Sequence, residues 1–467
     1  MRVRRGVGML LLAVPTPTAL LALLAFAQPP YQQKVLENGL TVLVIEDHAL
    51  PLVTVEIGVR NGSMTESPEF NGLSHLYEHM FFKGNQVIPN QEAYLARTRE
   101  LGMVFNGSTE TERVNYWFTT TSDRLEPSLE LMRDSIELPL FDPAELSREE
   151  KVVVGEIDRD QSDPGYYFHK ALDDRLWKYP SYKDPLGNRQ TVLSATPEKM
   201  RLIQHRYYVP NNSVLVVAGD VDSAGVFADA QRLLGGWARA PDPFLAHPVV
   251  IEPPLAKSSV VVVEQPVQTV SLAFEWEGPS TRGDDVSPTY AADLLTAMIE
   301  QPASRFQRDL VESGACVRAD LEWYTQAYVG PITYGLEAAP GQVERCLEAA
   351  RAELPVLAQP GTFSDQEMKD GLTRVEMERA LEQETPSEFS HILTFWWSST
   401  GLPYYLGYPA HIHAVTRPQI ADYLQRYVLG KPYVFGAMLS PEEAKREGLD
   451  QAHFEKLLGI APAEALK

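Results

Sequence analysis

The stretch Gly72-Leu73-Ser74-His75-Leu76-Tyr77-Glu78-His79-Met80-Phe81-Phe82 decides how the rest of the chain is read. It places two imidazoles and one carboxylate on a single turn of helix. Positions i and i+4 share a helical face, so His75 and His79 can reach one metal ion. Glu78 then stands beside any water bound to that metal. A carboxylate so placed can take the proton of the water and hand it to a leaving amine.

Five residues with three fixed can arise by chance, and surface helices carry histidines without a role. The flanks argue against both. Gly72, Leu73, Ser74, Met80, Phe81 and Phe82 are small or apolar, which suits a buried helix. Two buried histidines with an acid beside them need a partner, and a metal satisfies all three. The order His-x-x-Glu-His is the inverted zincin pattern, whose chemistry is peptide-bond hydrolysis.

A catalytic zinc takes three protein ligands and keeps one position for water. The third ligand should be an acid or histidine from a separate element. The segment from Asp142 to Asp158 reads as a helix, with Asp142 as its cap, Pro143 in its first turn and acids in its N-terminal part. Glu149 and Glu156 lie two turns apart on one face with Val153 between them, so that face looks inward. Glu145, Glu150 and Asp158 read as the solvated acids of an ordinary helix.

On these residues the chain resembles the pitrilysin or insulinase family of inverzincin metallopeptidases, which includes the mitochondrial processing peptidase. In that family the third ligand is a glutamate just under eighty residues past the motif, with another acid seven residues before it. Glu156 and Glu149 stand seventy-seven and seventy residues after His79. Glu37-Asn38-Gly39-Leu40-Thr41-Val42 resembles the family's opening strand. Asn106-Gly107-Ser108-Thr109, followed by Asn115-Tyr116, resembles its substrate-edge strand. Tyr208-Val209-Pro210-Asn211-Asn212 and Ala218-Gly219-Asp220-Val221 resemble the close of its first half. The resemblance implies an α+β fold of two homologous halves, each a mainly antiparallel sheet flanked by helices. It implies one zinc per chain on His75, His79 and Glu156, with Glu78 as general base and Glu149 orienting a ligand or the water. It further implies that extended peptides add to the edge at Asn106, Gly107, Ser108 and Thr109.

The first residues read as a leader. Arg2, Arg4 and Arg5 precede an apolar stretch from Val7 to Phe26, broken by Pro15 and Pro17, and Ala25-Phe26-Ala27 is a small-x-small cleavage signal. Residues 1–27 are therefore expected to be a signal peptide, cut before Gln28, and the protein to be periplasmic or secreted. Two domains of about 200 residues fit in what remains. The formal charge of −22 includes the three leader arginines, so the remainder is near −25. Nucleic acid and anionic lipid are poor partners for such a chain. No other apolar run is long enough to span a bilayer. Cys316 and Cys346 can pair in an oxidising compartment or stand as separate buried thiols.

A repeat divides the chain. Thr196 to Tyr207 precedes an apolar strand, Ser213 to Gly219. At an offset of 220, Thr416 to Tyr427 precedes another, Tyr433 to Leu439. Each is a capped helix followed by a strand, as duplication would leave them. Pro-rich Ala240 to Pro248 and Glu252 to Pro254 mark the junction. The expected domains are 28–240, a linker at 241–257, and 258–467. Leu40 to Ile45 and Leu52 to Val59 read as a hairpin-like strand pair. The offset maps His75, Glu78 and His79 onto Leu295, Met298 and Ile299, so the second half lacks ligands at the equivalent helix.

The chain departs from the family in one respect. Active members present an arginine and a tyrosine, seven residues apart, from a second-half domain, and these hold the substrate carbonyl. The corresponding stretch here is Leu310 to Val317, with Val311 where the arginine would be and no tyrosine near Val317. Arg318 and Tyr324 are close but wrongly spaced. The pattern fits the zinc-bearing subunit of a heterodimer whose homologous partner supplies both groups. The alternative is a non-catalytic or weakly active zinc-binding assembly subunit, which would have no physical need for Glu78. The aromatic run from Phe395-Trp396-Trp397 to Tyr404, Tyr405 and Tyr408 reads as packing rather than a substrate groove. His411 and His413 alternate as on a strand and read as surface residues. Nothing in the sequence fixes His169 near the site.

Overall fold

The computed structural model describes residues 30–283 and 285–461, so the leader expected at 1–27 lies outside the described residues. Two sheets organise them. The first contains β1 (Gln32–Val35), β2 (Thr41–Glu46), β3 (Leu52–Val59), β4 (Val104–Thr109), β5 (Val114–Thr121) and β6 (Ser213–Gly219), in the spatial order β1-β2-β6-β3-β5-β4. The second contains β7 (Ser259–Glu264), β8 (Val270–Glu277), β9 (Arg318–Trp323), β10 (Pro331–Ala338) and β11 (Val434–Leu439), in the order β7-β11-β8-β10-β9. Without β1 the two orders coincide strand for strand. Each sheet has one parallel pair, β2 with β6 and β7 with β11, and is otherwise antiparallel. This is the two-halved α+β architecture that the sequence implies.

The hairpin expected between Leu40–Ile45 and Leu52–Val59 does not form. β6 lies between β2 and β3, parallel to the first and antiparallel to the second. The reason is burial: β6 is buried at all 7 of its positions, so it takes the centre of the sheet. The repeated units are present at both places. Helix Pro197–Tyr207 is capped by Thr196, whose side chain accepts from Lys199 N–H, and leads to β6. Helix Arg417–Tyr427 has Gln419 Oε1 accepting from Thr416 N–H at 2.8 Å and leads to β11.

Three helices of the first half matter for the site. α1 (Leu73–Phe81) packs on β4 and β5, and α2 (Pro143–Asp160) packs on α1; Leu76, Tyr77, Met80 and Val153 join the same buried core as Val55 and Ile57 of the first sheet. α3 (Pro164–Leu176) instead lies on the second sheet, with Phe168 and Leu172 against Ala273, Val434 and Met438. In the second half, α4 (Ser287–Ile299) and α5 (Asp365–Leu381) pack together, and α6 (Pro386–Ser398) crosses back. Its Phe389, Leu393 and Trp397 sit on Leu43, Val214 and Val216 of the first sheet. The two halves therefore exchange one helix each.

That exchange absorbs the aromatic run. Trp397 and Tyr405 are part of the core under α6, and Tyr404 stacks on Tyr290 with ring centroids 5.1 Å apart. His411 and His413 are on helix Leu402–His413, not on a strand. A single His-x-His is too short to fix a period, and Pro409 inside the helix disguised it. His413 pairs with Glu376 at 2.8 Å, and His411 stacks on Tyr290. Cys316 and Cys346 form a disulfide.

Candidate active site

α1 is held at its N-terminus before its histidines come into play. Gly72 adopts φ 90°, and a Cβ there would meet Leu186 O at 2.7 Å, so only glycine fits the turn. The buried Glu66 carboxylate accepts from Gly72 N–H at 2.7 Å and also from Ser74 N–H. Burial pushes the Glu66 carboxyl up to about 8, against the pull of these two N–H groups at the positive end of the helix. Nothing in the sequence pattern pointed to Glu66.

α1 buries Leu73, Leu76, Tyr77 and Met80, which leaves His75 and His79 to face α2. There the three expected ligand residues come together. His75 Nε2 and His79 Nε2 are 3.3 Å apart, and Glu156 Oε2 is 3.6 Å from the first and 3.5 Å from the second. A tetrahedral zinc with bonds of about 2.0–2.1 Å separates its ligand atoms by roughly 3.3–3.4 Å. The triangle has the dimensions of one face of that tetrahedron. Among the described residues this is the one cluster of three metal-ligating side chains. Burial and the neighbouring His79 push the His75 imidazole down to about 4, so it offers a neutral lone pair.

Behind His79 stands Glu149, which is 5% exposed. Its Oε2 lies 3.1 Å from His79 Nδ1, and its Oε1 lies 2.8 Å from Lys83 Nζ. A carboxylate on Nδ1 fixes the ring and directs Nε2 toward Glu156. Burial opposes charge on both groups of the His79–Glu149 pair. Their mutual hydrogen bond overcomes it, raising the imidazole and, with Lys83, lowering the carboxyl. Lys83 was missed from sequence because it lies one turn past the recognised motif. Glu145, Glu150 and Asp158 are not part of the cluster or the cleft, and Glu145 pairs with Arg148 and Asp158 with Arg189.

Glu78 is buried beneath β4. Thr109 Oγ1 donates to Glu78 Oε2 at 2.9 Å. A Cβ on Gly107 would stand 2.8 Å from Glu78 Cγ, so the strand crosses directly over this side chain. Burial pushes the Glu78 carboxyl above the usual carboxylate range, with Thr109 and His79 pulling against it. Among the described residues β4 is the edge of its sheet and pairs with β5 alone, which leaves its other side free. Asn106, Gly107, Ser108 and Thr109 line a cleft of about 610 Å³ together with His75, Glu78, His79 and Glu156. His169 lies on α3 in a neighbouring cleft of about 680 Å³, and Arg159 borders both.

Among the described residues the second half brings no equivalent. Leu295, Met298 and Ile299 are buried apolar residues of α4. Val311 packs on the second core and Val317 is half exposed. Arg318 pairs with Asp320 at 2.8 Å, and Tyr324 Oη lies 3.4 Å from Glu110. Neither is among the residues lining the cleft.

Residues 41–189 match the insulinase (peptidase family M16) domain, and residues 194–375 match the peptidase M16 inactive domain. The chain belongs to peptidase family M16. It is 29% identical to the uncharacterized zinc protease YmxG of Bacillus subtilis over 202 residues, 43% of this chain and 49% of that one. It is 24% identical to the zinc protease PqqE of Helicobacter pylori over 289 residues, 61% of this chain and 64% of that one. The chain spans about half the length of several of the curated relatives it matches. Among solved structures, a protease from Helicobacter pylori superposes with a TM-score of 0.79 at 19% identity, covering 87% of this chain and 99% of that one. The periplasmic protease PqqL of Escherichia coli gives 0.74 at 18% identity, covering 94% of this chain and 52% of that one. An M16 unit of this size thus accounts for one half of the PqqL chain.

Proposed function

We propose that this M16 protein is an exported, zinc-dependent endopeptidase acting on extended peptides, completed by a homologous partner chain. The observation that carries the proposal is the triangle of His75, His79 and Glu156, whose sides fit a tetrahedral ion. In this reading one zinc binds per chain on those three residues. Bound zinc would act as a Lewis acid, making water acidic enough to lose a proton near neutral pH and polarising the peptide carbonyl. His75 supplies a neutral lone pair, His79 would give up its Nε2 proton to bind, and Glu156 supplies negative charge. Glu149, itself held by Lys83, keeps the His79 ring turned toward the other two ligands.

Glu78 takes the proton from water and delivers it to the leaving amine. Its raised affinity for protons brings it nearer the operating pH, which suits a general base. Thr109 holds one carboxylate oxygen and leaves the other free. A peptide laid along β4 would use main-chain hydrogen bonds, so selectivity should be broad and the substrate extended. The Cys316–Cys346 disulfide supports an oxidising compartment, in keeping with a periplasmic or secreted location. Among the described residues no helix is long and apolar enough to cross a membrane.

The test is Glu78→Gln. It should keep its zinc, measured by elemental analysis, and lose peptide hydrolysis by at least about a hundredfold. Loss of zinc along with activity would make Glu78 a ligand and overturn the assignment.

A further inference from the structure

Among the described residues β4 has a neighbour on one side only, so the turn after it decides where its far end lies. That turn, Glu110 to Arg113, is held from both halves of the molecule. From the first half, Ser63 N–H donates to Glu110 O at 3.3 Å and Met64 N–H to Thr111 O at 3.0 Å. From the second half, Ala327 N–H and Tyr328 N–H donate to the two oxygens of Glu112 at 2.8 and 3.1 Å. Glu112 is 6% exposed and Ala327 1%, so this carboxylate is enclosed with its two backbone donors. Arg113 adds a hydrogen bond to His391 O at 2.9 Å on α6.

We infer that Glu112 is a positioning residue, which fixes the turn against the second half and thereby sets where Thr109 and Gly107 hold Glu78. Thr109 is three residues upstream of Glu112. Its hydroxyl is 2.9 Å from Glu78 Oε2, and Gly107 closes over the same side chain. A shift of β4 by a fraction of a residue breaks the first contact and changes the space that Gly107 leaves for Glu78. A bidentate carboxylate on two backbone N–H groups is a strong, directional tie, and removing it strands both donors. The half without metal ligands then contributes to the reaction by registering the base. This rests on the reading of Glu78 as general base. It assigns Glu112 no contact with substrate.

The experiment is hydrogen exchange on the full zinc-loaded chain, paired with cleavage of fluorescein-labelled unfolded casein. In Glu112→Ala the amides of residues 104–109 should exchange about tenfold faster or more, because the turn that anchors β4 loses its tie to the second half. Zinc content and exchange in α1 should stay at wild-type values, while casein cleavage shows a lower kcat and a higher KM. Glu112→Gln keeps one of the two acceptor oxygens and should fall between. It also decides the matter should the alanine variant fail to fold. Wild-type exchange over residues 104–109 in both variants would overturn the inference. Equal loosening of α1, or loss of zinc, would also overturn it, because Glu112 would then be a general prop. Glu78→Gln run in parallel separates the two readings. Full activity there would refute Glu78 as the base, while the exchange data would still decide what Glu112 holds.

Discussion

Glu56 Oε2 lies 2.5 Å from His391 Nδ1, across the boundary between the two halves. The carboxylate is on β3, is 0% exposed, and also accepts from Asn115, Ser390 and Thr394. Three of these four partners belong to α6, so one buried charge organises the underside of the exchanged helix. Burial alone would raise its pKa, but His391 and the hydroxyls outweigh burial and hold it below the usual carboxylate range. Removing one partner of such a group leaves the rest buried and unpaired, at a cost of about 3–5 kcal/mol. Glu56→Ala should lose that much in urea unfolding. A mutant within about 1 kcal/mol of wild type would show that the network contributes little.

The same residue gives a pH dependence. Its folded pKa is depressed, so its contribution is fully present above the unfolded value of about 4.3 and is lost as pH falls below that through the folded pKa. Wild-type Tm should therefore drop on acidification in that window. Glu56→Gln should remove part of the drop, because the amide does not titrate. Parallel Tm curves for the two proteins from pH 6 to 3 would contradict the assignment.

The space over Glu78 makes a sharper prediction. Gly107→Ala places a methyl 2.8 Å from Glu78 Cγ, so either the strand or the carboxylate must move. His75, His79 and Glu156 are not in its path. Zinc content should stay unchanged while hydrolysis falls by about a hundredfold, the scale of a misplacement near 1 Å. Elemental analysis beside a peptidase assay checks both, and full activity would mean that β4 yields freely.

Much of this site was legible because it is local. The i, i+4 pair and Glu78 sit on one turn, and the 143–160 helix carries its own cap and proline. Pairing between distant segments was less legible. No local signal says that β6 enters between β2 and β3, since an apolar run reads alike whatever lies beside it. The supports of the site were also hidden: Glu66 at the start of α1, Lys83 on Glu149, and the bond from Thr109 to Glu78. Each is a common residue whose role comes from what the fold sets against it. Glu149 could be found because the helical period ties it to Glu156.

The proposed metal ligands and their support should separate by measurement. Glu156→Gln should lower zinc stoichiometry outright. Glu149→Gln should hurt less, weakening zinc by about 10- to 100-fold through a looser His79 ring. Lys83→Met should behave as a milder form of Glu149→Gln, since it removes the cation that fixes Glu149 at 2.8 Å. Zinc titration against a competing chelator would rank the three. Unchanged stoichiometry in Glu156→Gln, with loss in Glu149→Gln, would exchange their roles.

The last prediction concerns what the cleft lacks. In the proposed mechanism zinc and Glu78 would generate a nucleophile, yet the developing oxyanion needs a donor, and neither Arg318 nor Tyr324 lines the cleft. Losing such donors costs about a hundred- to a thousandfold in turnover. The purified chain should therefore cleave peptides slowly. A homologous chain bringing an arginine and a tyrosine seven residues apart should bind it one to one and restore that factor. The PqqL chain, of which this unit covers 52%, has room for two such units in one polypeptide. A partner encoded beside this gene is the first to test, by mixing the two purified chains and following both mass and turnover. Full activity of the lone chain, with no gain on mixing, would rule the heterodimer out. Arg318→Ala and Tyr324→Phe in the lone chain would then show whether the cleft recruits its donors from within.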